Sequence, residues 1–436
     1  MPPRILDALY LALLTLSLPY WLFKAATTGK YREGIASKLL GKAPEGLDGR
    51  PTVWIHAVSV GEVLLLRPLL GRLEASCPDY QFVLSTTTNT GYAVAKEKFR
   101  GTPVFYAPFD FTWAIRRVLG DLQPSLLMLV ELELWPNLLS EAKRHNIPVV
   151  VINARMSERS FGGYQKIASL LRPSLEAIDW WGVQDQSYAG RIKALVGPST
   201  AMTVTGSIKY DGVATERWSP DTNRLRRLLG FREEKILIAG STMADEESMI
   251  LDVWESLRQQ FPELRLVLVP RHQERFGAVA RLLEQRGICV VRRSQLDAPL
   301  DAPAPVTLVD TIGELGHLWG LADIAYVGGS MNCGRGGQSM IEPAAVGVPC
   351  CFGPETWNFR HTVAHLLEVR GAVAVDDARD LAATLEHWIR APEEAEAMGQ
   401  RARAFIRSQQ GALDATAREI ESRLGTGPEA QRQISA

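Results

Sequence analysis

Acids and bases set directly after apolar strand-like runs are where this sequence can do chemistry. The run Val53–His56 leads into Ala57-Val58-Ser59-Val60-Gly61-Glu62 and then a helical pattern. Gly61 permits a tight turn and Ser59 can cap the helix. Glu62 then falls in the first helical turn, where it faces the sheet end as a base or simply complements the helix dipole. A second run, Leu126–Val130, leads into Glu131-Leu132-Glu133-Leu134-Trp135-Pro136-Asn137, with Pro136 a favoured first residue of the next helix. Carboxylates this close to a buried strand end are desolvated and need a raised pKa or a cationic partner. The pair reads either as a functional acid or as a structural ion pair. Lys209, in Thr205-Gly206-Ser207-Ile208-Lys209-Tyr210-Asp211, follows another strand and meets an anion there or only solvates the surface.

The second half repeats this arrangement with different residues. Arg271 follows an apolar strand and Pro270, and its guanidinium fork suits phosphate or carboxylate. Asp310-Thr311-Ile312-Gly313-Glu314 follows another strand. Gly328-Gly329-Ser330 and Gly334-Arg335-Gly336-Gly337-Gln338-Ser339 precede Met340-Ile341-Glu342-Pro343. Glycines there let backbone approach a ligand, and free N–H groups at a helix start favour an anion. Glu342, in the first turn, can accept from ribose hydroxyls. There is no G-x-G-x-x-G and no G-x-x-x-x-G-K-[ST], which excludes a dinucleotide fingerprint and a P-loop. His361 and His365 stand four apart, but Thr362 occupies the place a zinc-protease glutamate would take. No metal site is expected.

These loops need a scaffold. Candidate strands are Val53–His56, Gln81–Ser85, Leu126–Val130, Val149–Ile152, Trp180–Val183 and Met202–Thr205 in one half. In the other they are Lys235–Ala239, Leu264–Val269, Cys289–Val291, Val306–Val309, Ile324–Val327, Val348–Phe352 and Val373–Val375. Short apolar strands alternating with amphipathic helices predict parallel sheets covered on both faces. Two doubly wound α/β halves are expected, with ligands beyond the carboxyl ends of the strands in a cleft between them. The predicted divisions are an anchor over 1–26, a first domain over 27–212, a linker over 213–232 (207–232 reads as a linker or a peripheral helix), a second domain over 233–391 and a helical tail over 392–436.

The chain has 436 residues, 48 Lys plus Arg against 49 Asp plus Glu, and a net charge of -1. That balance gives no general reason to expect nucleic acid as a partner. Five cysteines without a C-x-x-C pattern suit a reducing compartment. Ile5–Phe23 is a nineteen-residue apolar run carrying Asp7 and Pro19. At ~1.5 Å per residue it reaches about 28 Å, just short of a ~30 Å hydrocarbon core. A single anchor, a helix lying on the surface and a signal peptide all fit, the anchor being the expectation. Lys24, Lys30, Arg32, Lys38 and Lys42 follow the run, so positive-inside bias puts the domains on the cytoplasmic side.

Taken in order, HAVSVGE, VELELWPN, INARMSERS, TGSIKYD, LVPRH, DTIGEL, YVGGS, GGQSMIEP and FGPETWNF resemble the bacterial 3-deoxy-D-manno-octulosonic acid (Kdo) transferases of lipopolysaccharide biosynthesis. The resemblance implies a GT-B fold with the nucleotide sugar held mainly by the C-terminal domain. It implies transfer of Kdo from CMP-Kdo to a lipid A precursor, lipid IVA, at the inner membrane, without a metal or cofactor. It assigns Glu62 as general base and Glu131 and Lys209 to transition-state stabilisation. It gives CMP contacts to Pro270, Arg271, Ile312, Gly313, Glu314 and to Ser339, Met340, Ile341 and Glu342. One departure stands out: where the family reads G-G-H-N-x-x-E, this chain has Gln338 and Ser339, which bears on donor choice. A glycosyltransferase of the same fold using another donor, and a non-catalytic membrane-tethered nucleotide-binding module, are the competing expectations.

Overall fold

β-Branched Val and Ile favour strands, and with Leu they build two separate parallel sheets in this chain. A computed structural model describes residues 3–28 and 34–425. The chain divides into two units. The first takes the chain as far as Gly212 and claims it again from Gln410, and the second is Val213–Gln409.

The first unit contains β1 (Thr52–His56), β2 (Gln81–Thr86), β3 (Val104–Tyr106), β4 (Leu126–Val130), β5 (Val149–Ala154), β6 (Trp180–Val183) and β7 (Met202–Val204). They pair in the order β3-β2-β1-β4-β5-β6-β7. All the pairings are parallel. Side chains alternate across the sheet, so each face has its own core. Trp54, Leu127, Leu129, Val149 and Val151 pack on one side. Val53, Ile55, Met128, Val130 and Ile152 pack on the other against Leu66, Leu69 and Leu73 of the helix Val60–Ser76. Strand order reverses between β1 and β4, which is where ligands collect in open α/β sheets. The loops after those two strands carry Glu62 and Glu131.

The second unit repeats the plan with β8 (Ile236–Thr242), β9 (Arg265–Pro270), β10 (Val290–Arg292), β11 (Val306–Leu308), β12 (Ile324–Val327), β13 (Cys350–Phe352) and β14 (Ala372–Ala374). Their order is β10-β11-β9-β8-β12-β13-β14, and β8 and β12 flank the reversal. Two parallel seven-stranded sheets therefore stand where the spacing predicts two doubly wound halves. The strand β3 is absent from that expectation. It is three residues long and lies between Pro103 and Pro108, too short to show a period.

Three stretches are organised otherwise than the plain division into linker, tail and anchor. The stretch 213–232 takes the second of its two expected forms, a helix: Pro220–Leu228 buries Leu225, and Leu229 and Phe231 are buried beyond it. Arg217 donates to the carbonyls of Gly320 (3.1 Å) and Ala322 (2.6 Å). The stretch 392–436 is no single tail. The helix Pro392–Ser408 belongs to the second unit, whereas Ala412–Arg423 packs in the first.

The third correction concerns the anchor. The helix Pro3–Thr28 forms, but among the described residues no helix is long and apolar enough to cross a membrane. Asp7, Tyr10, Thr15, Ser17 and Pro19 interrupt its apolar run. Asp7 and Tyr10 turn toward the first unit, where Leu6 is buried, and Ile5, Leu9, Leu13 and Leu16 remain exposed. Lys38 is half-buried, donates to the Thr87 carbonyl at 2.7 Å and lies over the Tyr106 ring. Lys42 pairs with Glu45, and Lys30 and Arg32 fall outside the described residues.

Candidate active site

In the first unit the β1 loop is built around a helix cap. Ser59 has extended backbone angles, and its hydroxyl accepts from the Glu62 N–H at 3.3 Å. Glu62 answers with both carboxylate oxygens: Oε2 accepts from the Val58 N–H at 2.8 Å and Oε1 from the Ser59 hydroxyl at 2.7 Å. Capping and basicity are thus compatible in one residue. A carboxylate has about four acceptor positions, and these bonds fill two.

The β4 loop is strained. Glu131 sits at φ +60°, a left-handed conformation that costs an L-residue about 1–3 kcal/mol and that clusters at functional sites. Its N–H continues the sheet to the Ile152 carbonyl at 2.9 Å. Its side chain is only 14% exposed and lies between two cations. Arg155 Nε donates to Oε2 at 2.9 Å, and Lys209 Nζ stands 3.5 Å from Oε1. Lys209 comes from the short turn Ile208–Tyr210. Fully buried Asn153, itself at φ +53°, fixes that turn by accepting the Ile208 N–H on Oδ1 at 3.2 Å. Glu131 thus holds two cations side by side.

Glu133 closes the group. Its Oε2 accepts from Trp135 Nε1 at 3.0 Å. Burial pushes its carboxyl up to about 7, with repulsion from Glu62 next and from Glu131 adding to it, against the Trp135 bond. Glu62, Glu131 and Glu133 therefore share one electrostatic neighbourhood. Beside them His56, buried against Ser85 Oγ at 2.9 Å, is pushed down to about 4 by burial and is neutral at neutral pH.

In the second unit Arg271 follows β9, with its N–H on the Thr242 carbonyl at 2.9 Å and its side chain exposed. Its charge reaches Glu342, whose carboxyl burial pushes up while Trp319 Nε1 donates to it at 3.2 Å and Arg271 opposes the shift. A Cβ on Gly316 would lie 4.0 Å from Glu342 Oε2, which brings the turn after β11 to the same place. In that turn Ile312 is 77% exposed, and Glu314 is held by Arg293 at 2.9 Å and by the Thr311 hydroxyl. Ser339 is partly exposed. Met340 and Ile341 are buried.

The glycine-rich loops depart from the expectation that their N–H groups are free for an anion. Glu246, almost fully buried, takes them. Its Oε1 accepts from Ser330 N–H, Met331 N–H and Tyr326 Oη at 3.0 Å each, and its Oε2 from Gly329 N–H at 2.7 Å and Met243 N–H at 2.8 Å. Glu355 Oε2 likewise accepts from Cys333 and Gly334. Gly328 is required because a Cβ would meet Thr242 Cα at 2.6 Å.

Of the residues expected from the sequence, Glu131 and Lys209 are in direct contact, Glu62 and Glu131 both act on the carboxyl of Glu133, and Arg271 and Glu342 form a second group in the other unit. Arg155 and Glu246 were given no role from the sequence. Arg155 lies just past β5, beside the β4 loop, and its signals were that strand-end position and its place in INARMSERS. Among the described residues no group of three or more His, Cys, Asp or Glu side chains is arranged to hold a metal ion.

Residues 30–212 match the family described as 3-deoxy-D-manno-octulosonic-acid transferase (kdotransferase). The 3-deoxy-D-manno-octulosonic acid transferase of Haemophilus influenzae is 35% identical over 88% of this chain and 90% of its own length. That of Bordetella pertussis is 32% identical over 86% of this chain and 87% of its own. Among solved structures, a UDP-GlcNAc 2-epimerase from Neisseria meningitidis matches with a TM-score of 0.53 at 13% identity, covering 86% of this chain and 99% of that one. MurG from Acinetobacter baumannii gives 0.52 at 14%, with the same coverage. At such identity these structures speak for the fold alone.

Proposed function

The chain belongs to the 3-deoxy-D-manno-octulosonic acid transferase family, and from this premise we propose that it transfers Kdo from CMP-Kdo to the lipid A precursor lipid IVA. Identity to a named transferase across nearly the whole chain carries the reading. The contact of Glu131 with Lys209 and Arg155 in the first unit supports it.

Glu62 removes the proton from an acceptor sugar hydroxyl. The resulting oxygen attacks the anomeric carbon of Kdo with inversion, and the bond to the CMP phosphate oxygen breaks, its electron pair leaving with CMP. Proton transfer by a positioned base contributes about 10²–10⁴-fold. Positive charge growing on the sugar is met by Glu131. The Kdo carboxylate is met by Lys209 and Arg155, whose cradle is fixed before the substrate arrives. In the second unit Pro270, Arg271, Ile312, Gly313, Glu314 and the segment Ser339–Glu342 hold CMP, with Arg271 on the phosphate and Glu342 on ribose hydroxyls. The acceptor is a membrane lipid. The exposed Leu9, Leu13 and Leu16 of the helix Pro3–Thr28 then lie against the cytoplasmic surface of the inner membrane, where the lipid acceptor is held.

The test is transfer from CMP-Kdo to a tetraacylated lipid A precursor with EDTA present, wild type beside Glu62→Gln. The glutamine keeps an acceptor for the cap and removes the base. Wild-type product should appear, and the variant should lose at least about 10²-fold. Equal rates would remove Glu62 from the base role. Wild-type protein that binds CMP but makes no product would mean another donor or acceptor.

A further inference from the structure

Two helices of the first unit begin without a capping side chain of their own. The helix Thr112–Leu122 follows Phe111, and the helix Pro136–Arg144 follows Trp135. Orphan N–H groups at such starts need acceptors, and carboxylates serve best. Both are supplied from far away in sequence. Asp110, buried, accepts from Leu138 N–H on Oδ1 at 2.9 Å and from Asn137 N–H on Oδ2 at 3.1 Å. Asp7, on the N-terminal helix, accepts on Oδ1 from Thr112 N–H at 2.9 Å and from Asn137 Nδ2 at 3.0 Å. The Asn137 amide also donates to the Asp110 carbonyl at 2.6 Å. Tyr10 Oη, one turn further along the N-terminal helix, donates to Asp110 Oδ2 at 3.1 Å, and its ring meets Phe111 edge-on at 6.0 Å.

Asn137 ends the segment that starts at Glu131. Upstream, Glu131 is fixed by the sheet through Ile152. Between them the chain folds tightly, with Leu134 N–H on the Leu132 carbonyl at 2.8 Å and Trp135 N–H on the Glu133 carbonyl at 3.3 Å. The turn carrying Glu131 and Glu133 is thus clamped at both ends, and its downstream clamp is shared with the N-terminal helix. We propose that Asp7, Tyr10, Asp110 and Asn137 are positioning residues through which the N-terminal helix holds the Glu131–Trp135 turn in its reactive shape. The helix is then part of the site's scaffold as well as a membrane contact. This rests on the catalytic reading of Glu131 given above.

The test compares full-length wild type, the double variant Asp7→Ala/Tyr10→Phe and the single variant Asp7→Asn, with acceptor in detergent micelles so that membrane delivery plays no part. A turn displaced by about 1 Å costs up to about 10²-fold. The double variant should lose about tenfold in kcat with donor KM within about twofold. Asp7→Asn, which keeps the accepting oxygen, should restore most of it. Amide hydrogen exchange read on the same proteins should rise over 131–138 in the double variant as well as at 111–113. Unchanged kcat, a loss in Asp7→Asn equal to that in the double variant, or exchange that rises only at 111–113 would each overturn the proposal. If wild type transfers nothing, the functional reading fails, and the exchange over 131–138 still decides this one.

Discussion

Glu133 holds its proton to about 7 because burial and the charge of Glu62 both oppose ionisation. Its unfolded value is about 4.3. Between the two, the folded chain binds more protons than the unfolded one, so stability is full below the unfolded value and is lost as pH rises through the folded one. His56 works with the opposite sign: pushed down to about 4, it lowers stability as pH falls below about 6.5. The window from about pH 6.5 to about 8 therefore belongs to Glu133, with a tail from Asp110, which burial pushes up to about 6. Wild-type melting temperature should decline across that window, and Glu133→Gln should flatten the decline. An equal decline in both proteins would assign the titration elsewhere. At this scale the sequence set Glu62, Glu131 and Lys209 after apolar strands and left each with two readings open, functional or structural. It was unreadable where meaning came from a distant partner. Arg155 lies 24 positions from the carboxylate it binds, and Asp7 lies 130 from Asn137.

At the scale of elements, parallel strands were legible because both faces are buried and the sequence runs continuously apolar. Loop purpose was less so. Glycines after β12 look like an anion site, and the geometry is one, but its anion is the protein's own Glu246. Four donors from the β8 and β12 loops and a fifth, Tyr326 Oη, from β12 itself converge on that carboxylate. Composition cannot distinguish a loop that waits for phosphate from one already filled by a carboxylate 80 residues upstream. Glu246→Gln replaces one accepting oxygen with an N–H₂ that faces other N–H groups. Breaking a buried, hydrogen-bonded charge in this way costs about 3–5 kcal/mol. The second unit should therefore melt well below its wild-type temperature in calorimetry, with the first unit's transition unmoved. A variant that melts like wild type would show that these loops hold their shape without the charge.

Over the whole chain, the instructive element is the last helix. From composition alone, 392 onward reads as one Ala-, Glu- and Arg-rich tail. Gly411, at φ +105°, divides it, and the two helices serve different units. Ala412, Ala417, Ile420 and Leu424 are buried in the same core as Leu66, Leu69 and Leu73. Asp211 caps the returning helix by accepting from Gly411 N–H at 2.6 Å and Leu413 N–H at 2.9 Å. Arg72 pairs with Glu421 at 2.8 Å, and Tyr80 Oη donates to the Leu424 carbonyl at 2.8 Å. The first unit is thus assembled from both ends of the chain, and its stability depends on residues synthesised after the second unit is complete. Burial of Ile420 and Leu424 alone contributes about 1.5–3 kcal/mol each. A chain stopped after Gln410 should lose at least about 3 kcal/mol from the first unit. The second unit, which keeps all its residues, should retain its own melting transition and the CMP affinity proposed for it. Calorimetry with CMP titration separates the two. If the shortened chain instead lost CMP binding while the first unit melted as before, the terminal helix would have to be reassigned to the second unit.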